Sequence, residues 1–493
     1  MTSPMTRSRL FSTASAAAMA AAAMALLTGC ASGPAHPPPS PALSEAAATA
    51  FKHQAGWQPL SKMAPGAISS ATEPWWRVFN DAELDRLMQT ASAGNLDIAQ
   101  ATARDRQARA LWRQAGAIRS PQLGVSASAL RTESSSASGD TTYTAGLQAS
   151  WALDLWGRLA RAQDAASANA QATMADVAAA RLSTQLSLAE QYWRLRVIDR
   201  QLALLDRTLA AYERSLQLTR HQYDAGLAAR ADVIQAETQW QTLRARVHDL
   251  QLQRALHEHA LAVLSGQAPA DLSLPVAANA LPAVPVAPPQ MPSLLLTRRP
   301  DVVAAERRVA QANAQIGVAQ AAWWPDITLG ATAGGSGPRL GSLFSAPWRT
   351  WSLGPALAAT LLDGGQRRAG VDAAEARYEE TVAAYRQAVL TSLREVDDAL
   401  AALQQLAAKA EQQARLVALA EENERVVSTR YRAGMVGFLE VVVAQNLTLE
   451  SQRTALDVTA ERLVASVRLI AALGGGWQGV PDAAAPASSD GGM

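Results

Sequence analysis

The sequence predicts a mainly α chain that also carries strands of a membrane β-barrel, and three observations predict it. Two runs, Arg158 to a tip at Tyr223-Asp224-Ala225-Gly226-Leu227 and Gln366 to a tip at Tyr431-Arg432-Ala433-Gly434-Met435, contain no proline, and Gly370 is the only glycine ahead of either tip glycine. Each therefore reads as a helix of roughly 100 Å at ~1.5 Å per residue, too long for a globular core. Two hairpin-like segments alternate apolar with small or polar residues at period two. Finally, the second half repeats the first: Gly434 minus Gly226, Tyr431 minus Tyr223, Gly365 minus Gly157 and Gly474 minus Gly266 all equal 208, and such an offset marks an internal duplication.

The 493 residues carry a net charge of +1, five Phe and a single cysteine. That balance gives no bulk attraction to nucleic acid, one cysteine cannot form an internal disulfide, and an Ala-rich, Phe-poor composition suits closely packed helices. The N-terminus has Arg7 and Arg9, an apolar stretch and then Leu27-Thr28-Gly29-Cys30, the pattern of a secretory signal. Cysteine after Leu-Thr-Gly resembles the lipobox of bacterial lipoproteins, which implies residues 1–29 as signal peptide and Cys30 as the lipidated residue. Ala31 in the next position favours the outer membrane by the same resemblance.

Residues 30–70, rich in Pro, Ser and Ala, read as a tether. Repeat 1 spans 71–266. In it Asp81 and Glu83 open a short helix, acids in a first turn being favoured by the helix dipole, and a second helix runs from about Asn95 to Arg119. A hairpin follows at about 121–153: Leu123, Val125, Ala127 and Ala129 form one apolar row, and Tyr143, Ala145, Leu147, Ala149, Trp151 and Leu153 the other, with a loop expected from Glu133 to Asp140. Alternation over about ten residues is what barrel strands show. In the long helix, Leu195, Ile198, Leu202, Leu205, Leu209, Tyr212 and Leu216 step by three and four, a coiled-coil seam, and the chain turns at 226 and returns to about Gly266. Residues 267–297 hold seven prolines and read as a linker. Repeat 2, 298–476, has its hairpin at about 325–362, with rows Ile327 to Ala333 and Trp351 to Leu361, and its tip at 434; 477–493 reads as a disordered tail.

No run of eighteen apolar residues exists, so the chain can cross a membrane only as a closed barrel. Four strands cannot close, since barrels begin at about eight, so copies must join. Two copies would give eight strands and three would give twelve; the small residues of the second face suit an open lumen and the larger number.

Leu27-Thr28-Gly29-Cys30, Arg298-Arg299-Pro300-Asp301-Val302, Gln315-Ile316-Gly317-Val318-Ala319, Trp324-Pro325, Leu153-Asp154-Leu155-Trp156-Gly157 and the paired Tyr-x-Ala-Gly tips resemble the TolC-type outer-membrane efflux channels, specifically their lipoprotein branch. The resemblance implies a homotrimer with a twelve-stranded barrel and a twelve-helix periplasmic tunnel, outer-membrane lipid around the barrel, and partners in a periplasmic adaptor and an inner-membrane RND-type pump. The expected function is passive export of drugs or other toxic small molecules. Type I protein secretion and metal-ion efflux are alternatives within the family, and a lipid-anchored coiled-coil structural protein is the alternative outside it. No nucleophile, metal or phosphate-loop constellation suggests an enzyme, and no cofactor is expected.

The resemblance further implies adaptor docking at Tyr223, Gly226, Leu227, Gly434 and Met435, and an aperture lined by Asp232, Glu440 and Tyr431, with Asp232 alternatively tethering Tyr431 across the tip. The family's other acidic position falls on Gln235 and Val443 here, so one acidic ring is missing. Trp151, Trp323, Trp324, Trp348 and Trp351 are candidates for an aromatic girdle at the membrane interface. His257-Glu258-His259 lacks the spacing of a zinc motif and is expected to be a solvated surface.

Overall fold

The computed structural model describes residues 51–52, 74–134, 137–277, 281–285, 298–343, 345, 347 and 349–477. The signal segment, Cys30, nearly all of the tether, Trp348 and the tail from 478 lie outside the described residues. The elements are α1 (Ala82–Gly94), α2 (Leu96–Ala117), β1 (Gln122–Ser134), β2 (Ala137–Leu153), α3 (Arg158–Asp224), α4 (Arg230–Leu264), α5 (Pro300–Ala321), β3 (Asp326–Gly337), β4 (Arg349–Ala358), α6 (Gln366–Arg432) and α7 (Phe438–Ala472). Helices α3 and α6 are each 67 residues long, and α4 and α7 each 35. The chain forms two compact units, one of residues 104–173 and 304–386 among others, and one built chiefly of 41–103, 174–303 and 387–493.

The first unit holds a four-stranded antiparallel sheet in the order β1-β2-β3-β4. Its register gathers the apolar rows onto one face: Val125 lies opposite Leu147, Leu147 opposite Ala333, and Ala331 opposite Leu353. Val125 is 82% exposed and Trp351 80%, so this face has no cover among the described residues. The other face is polar or bare: Gln148 opposes Thr332, Thr332 opposes Ser352 with their hydroxyls 2.7 Å apart, and the Thr144 and Ser336 hydroxyls lie 3.3 Å apart. Gly146 opposes Gly334, and a Cβ on Gly334 would sit 2.5 Å from the Ala145 carbonyl oxygen. The backbones thus approach where only glycine fits. Among the described residues β1 and β4 each pair along one edge, so two rows of backbone groups stay open.

The first hairpin differs from expectation. Its strands run through the segment read as a loop, with Thr132 opposite Asp140 and Ser134 opposite Ala137. Ser, Gly and Asp there suggest a turn, yet ladder bonds propagate through polar residues once apolar pairs below have set the register. In the second hairpin β4 ends at Ala358, leaving Leu361 outside the strand.

Carboxylates start both long helices. Asp154 accepts from the Leu159 and Ala160 amides at 2.9 and 2.7 Å, and Asp363 from the Gly365 and Arg367 amides at 3.1 Å each. The Arg367 guanidinium, 2.6 Å away, together with those amides holds the Asp363 carboxyl below its usual range.

In the second unit, Trp75, Phe79, Leu84, Leu87 and Met88 pack against Leu188, Tyr192 and Trp193 of α3 and Leu463 and Leu469 of α7. Asp81 caps α1 through the Glu83 and Leu84 amides and also accepts the Tyr192 hydroxyl at 2.7 Å. The seam of α3 continues below, where Ile198, Leu202, Leu205 and Tyr212 meet Leu243 and Leu250 of α4 and Leu449 of α7. Asp199, 0% exposed, binds Arg254 at 2.8 Å and Arg196 at 3.1 Å and accepts the Ala277 amide. Both arginines also donate to carbonyls of the following segment, Arg254 to Leu274 and Arg196 to Pro275, so this ion cluster seats part of the Pro-rich stretch on the helices.

The duplication persists in detail. The Asn95 amide donates to the Leu264 carbonyl at 2.9 Å, and Arg299 donates to the Ala472 carbonyl at 3.3 Å. The two carbonyls are 208 residues apart, and each is answered by a buried side chain of different chemistry.

Candidate functional site

At the ends of the long helices the chain reverses through two turns of the same design. Gly226 has φ +74° and Gly434 φ +72°, the left-handed conformation that glycine adopts without a Cβ penalty. Leu227 donates to the Gln222 carbonyl at 2.7 Å and Gly226 to Tyr223 at 2.9 Å; Met435 donates to Arg430 at 3.0 Å and Gly434 to Tyr431 at 2.8 Å. These pairs of bonds satisfy the last carbonyls of each helix. They also place Leu227 and Met435, 81% and 67% exposed, at matched outer points, with Tyr223 partly exposed and Arg230 stacked over its ring at 5.8 Å.

Beneath the turns, Leu216, Val233, Ala236, Phe438, Val441 and Val442 form a small apolar core, against which Tyr431 packs with its ring 5.5 Å from Phe438. The Tyr431 hydroxyl donates to Gln222 Oε1 at 2.7 Å. The tether across the tip is therefore Gln222 and not Asp232. Asp232 is held by its own helix, its carboxylate accepting the Ala229 amide at 3.1 Å. This N3-to-N-cap bond forms within one turn and needs no partner from the second hairpin. Glu440, at the matching position of α7, is exposed. The Gln239 amide donates to Asn446 and joins α4 to α7. Gln222, Gln239 and Asn446 escaped the sequence reading because polar residues near a helix end look solvated; Gln222 lies beside Tyr223, whose repeat partner is Tyr431, and that proximity was the available signal.

The tryptophans fall in two places. Trp151 donates to the Arg119 carbonyl at 2.9 Å, Trp324 stacks on Trp156 at 5.0 Å, Trp156 donates to the Pro325 carbonyl, and Arg367 lies 4.9 Å over Trp323. These sit where strands meet helices, whereas Trp351 stands on β4 opposite Ala333. The His-Glu-His stretch is not simply solvated: His257 Nδ1 lies 2.6 Å from Gln191 Oε1, and Glu258 accepts the Leu274 amide at 2.6 Å. Both are half-buried because the chain folds back over this part of α4, and only His259 is exposed. Burial, with Arg194 nearby, lowers the His257 pKa. Among the described residues no group of three or more His, Cys, Asp or Glu is placed to hold a metal, and no helix is long and apolar enough to cross a membrane.

Residues 87–267 and 291–475 match the family described as Outer membrane efflux protein. The chain belongs to this family. It is similar to the pyoverdine export outer membrane protein OpmQ of Pseudomonas putida, 33% identical over 436 residues that cover 86% of this chain and 92% of that one. It is also similar to the cation efflux system protein CusC of Escherichia coli, 30% identical over 407 residues, 82% and 88% of the two chains. Among solved structures, the outer-membrane channel OprN superposes with a TM-score of 0.81 at 30% identity over 91% of this chain and 100% of that one. VceC of Vibrio cholerae gives 0.75 at 30% identity, covering 82% and 99%. This outer membrane efflux protein is accordingly the outer-membrane channel component of an efflux system, and it resembles the solved channels over both of its repeats.

Proposed function

We propose that three copies of the chain close into a twelve-stranded barrel continuous with a twelve-helix tunnel, forming a passive, non-enzymatic conduit for drugs or other toxic small molecules. The sheet carries this reading: four strands with one apolar face, one small and polar face, and two open edges. In lipid each unpaired backbone group costs several kcal/mol, so β1 of one copy pairs with β4 of the next until the ring closes. Cross-linking of cysteines placed on β1 and β4 should give a ladder that ends at the trimer. A chain that stays monomeric in detergent and shows no such ladder would remove the reading.

Cys30 carries the lipid anchor in this proposal. The tips dock a periplasmic adaptor through Leu227, Met435, Tyr223 and the turns at Gly226 and Gly434, and the adaptor links to an inner-membrane RND-type pump. Glu440 supplies the aperture carboxylate, because it is the exposed acid while Asp232 is spent on its helix. Three like charges around one axis attract cations. Glu440→Gln is expected to lower cation block of single-channel current several-fold, and Asp232→Asn much less; equal effects of the two substitutions would sink the assignment. Trp151, Trp323, Trp324 and Trp351 form the aromatic girdle.

A further inference from the structure

The two turns at the ends of the long helices share a backbone but not a charge. Asp224, the last residue of α3, and Arg432, the last of α6, are 208 residues apart, as are Gln222 and Arg430. Tyr431 turns onto Phe438 and Gln222. Neighbouring residues on a helix point about 100° apart, so Arg430 and Arg432 flank it on either side, and both are exposed. Among the described residues the Arg430 guanidinium has no hydrogen bond or ion pair, and Arg432 donates only to the Ser428 carbonyl of its own helix at 3.3 Å. The other arginines nearby are engaged: Arg425 with Glu422, Arg220 with Glu237 at 3.1 Å, and Arg230 with the Tyr223 ring. Asp224 is exposed and among the described residues pairs with neither Arg430 nor Arg432, although the Tyr431 bond ties the two turns together. The helix dipole favours arginines in a last turn and disfavours an acid there, so it accounts for Arg432 and not for Asp224. Opposite charges at matched points of two like turns thus stand free for a partner.

We propose that the Gly434 turn recognises an acidic group. The docked adaptor presents an Asp or Glu side chain to Arg430 and Arg432 and an apolar contact to Met435, while Asp224 repels the same acid from the Gly226 turn. Guanidinium and carboxylate match as planar, bidentate partners, and like charges brought face to face reject a wrong register. Charge therefore distinguishes two sites that the backbone makes alike. The inference rests on docking at the tips, proposed above, and adds to it the chemistry of the partner's contact.

The test places the photo-crosslinker p-benzoylphenylalanine at position 435 or 227 of the full-length channel in its native cells, and the captured peptide is sequenced. The peptide caught at 435 should carry an Asp or Glu within about one helical turn of the attachment point. Arg430→Glu combined with Arg432→Glu should lower that adduct at least about tenfold at an unchanged channel level, and changing the captured acid to Arg should restore it. Asp224→Arg should raise capture of the same peptide at 227. A captured peptide without an acid, an adduct that survives the double reversal, or an unchanged yield at 227 in Asp224→Arg would overturn the inference and leave docking at the tips standing. No adduct at either position would remove tip docking itself, and this inference with it.

Discussion

Replacing Asp199 with alanine is expected to cost about 3–5 kcal/mol of stability, the loss seen when one partner of a buried ion pair is removed. The carboxylate is fully buried between Arg196 and Arg254, and it also accepts the Ala277 amide. Without it two guanidinium groups share a site with little water, left with the carbonyls of Leu274 and Pro275, the carboxylate of Glu258 and, for Arg196, the Tyr192 ring. The damage should extend to the Pro-rich segment, whose seat this cluster is. Denaturant unfolding in detergent measures the loss, and limited proteolysis near 272–277 should become faster in the variant. An Asp199→Ala channel as stable as the parent would mean that the cluster contributes nothing net to the fold.

Gly266→Ala is expected to cost about 3 kcal/mol or more, against about 1 kcal/mol for Gly226→Ala. Both glycines have positive φ, +72° and +74°, where any L side chain is strained by roughly 1–2 kcal/mol. At Gly226 a Cβ meets nothing within 4 Å, while at Gly266 it would sit 2.0 Å from the Gly94 carbonyl oxygen. The overlap is with backbone, so α1 must move away from α4, and overpacking of this kind adds about 1–3 kcal/mol. Gly474, 2.3 Å from the Arg298 carbonyl by the same measure, should behave like Gly266. Melting temperatures of the Ala variants decide the matter; similar melting points for the tip and Gly266 variants would contradict the packing described.

Much of this architecture was legible because it rests on periodicity and on what is missing. Helices of 67 residues follow from the absence of proline and near-absence of glycine, and the tips from glycines 208 residues apart. The face of every strand was readable because side chains alternate strictly. The extent of the first hairpin was not, since Ser and Gly carry turn chemistry even where the ladder continues. Neither was the Asp199 cluster: Arg196 and Asp199 flank Val197 and Ile198, and a charge beside a seam reads as solvated until a distant segment folds over it. At the tips the glycines were legible, while the partner of Tyr431 depended on which side chains two separate turns bring level.

The unlike answers given to the Leu264 and Ala472 carbonyls bear on ancestry and on engineering. Once one half had settled on a neutral amide and the other on a guanidinium with its own carboxylates, the opening of each half became tied to the remainder of that same half. Exchanging only the openings of the two repeats would set Asn in front of Glu395, which then has no cation to meet, and would bury an arginine beside Thr184. Pieces smaller than a repeat can therefore no longer be shuffled between the two.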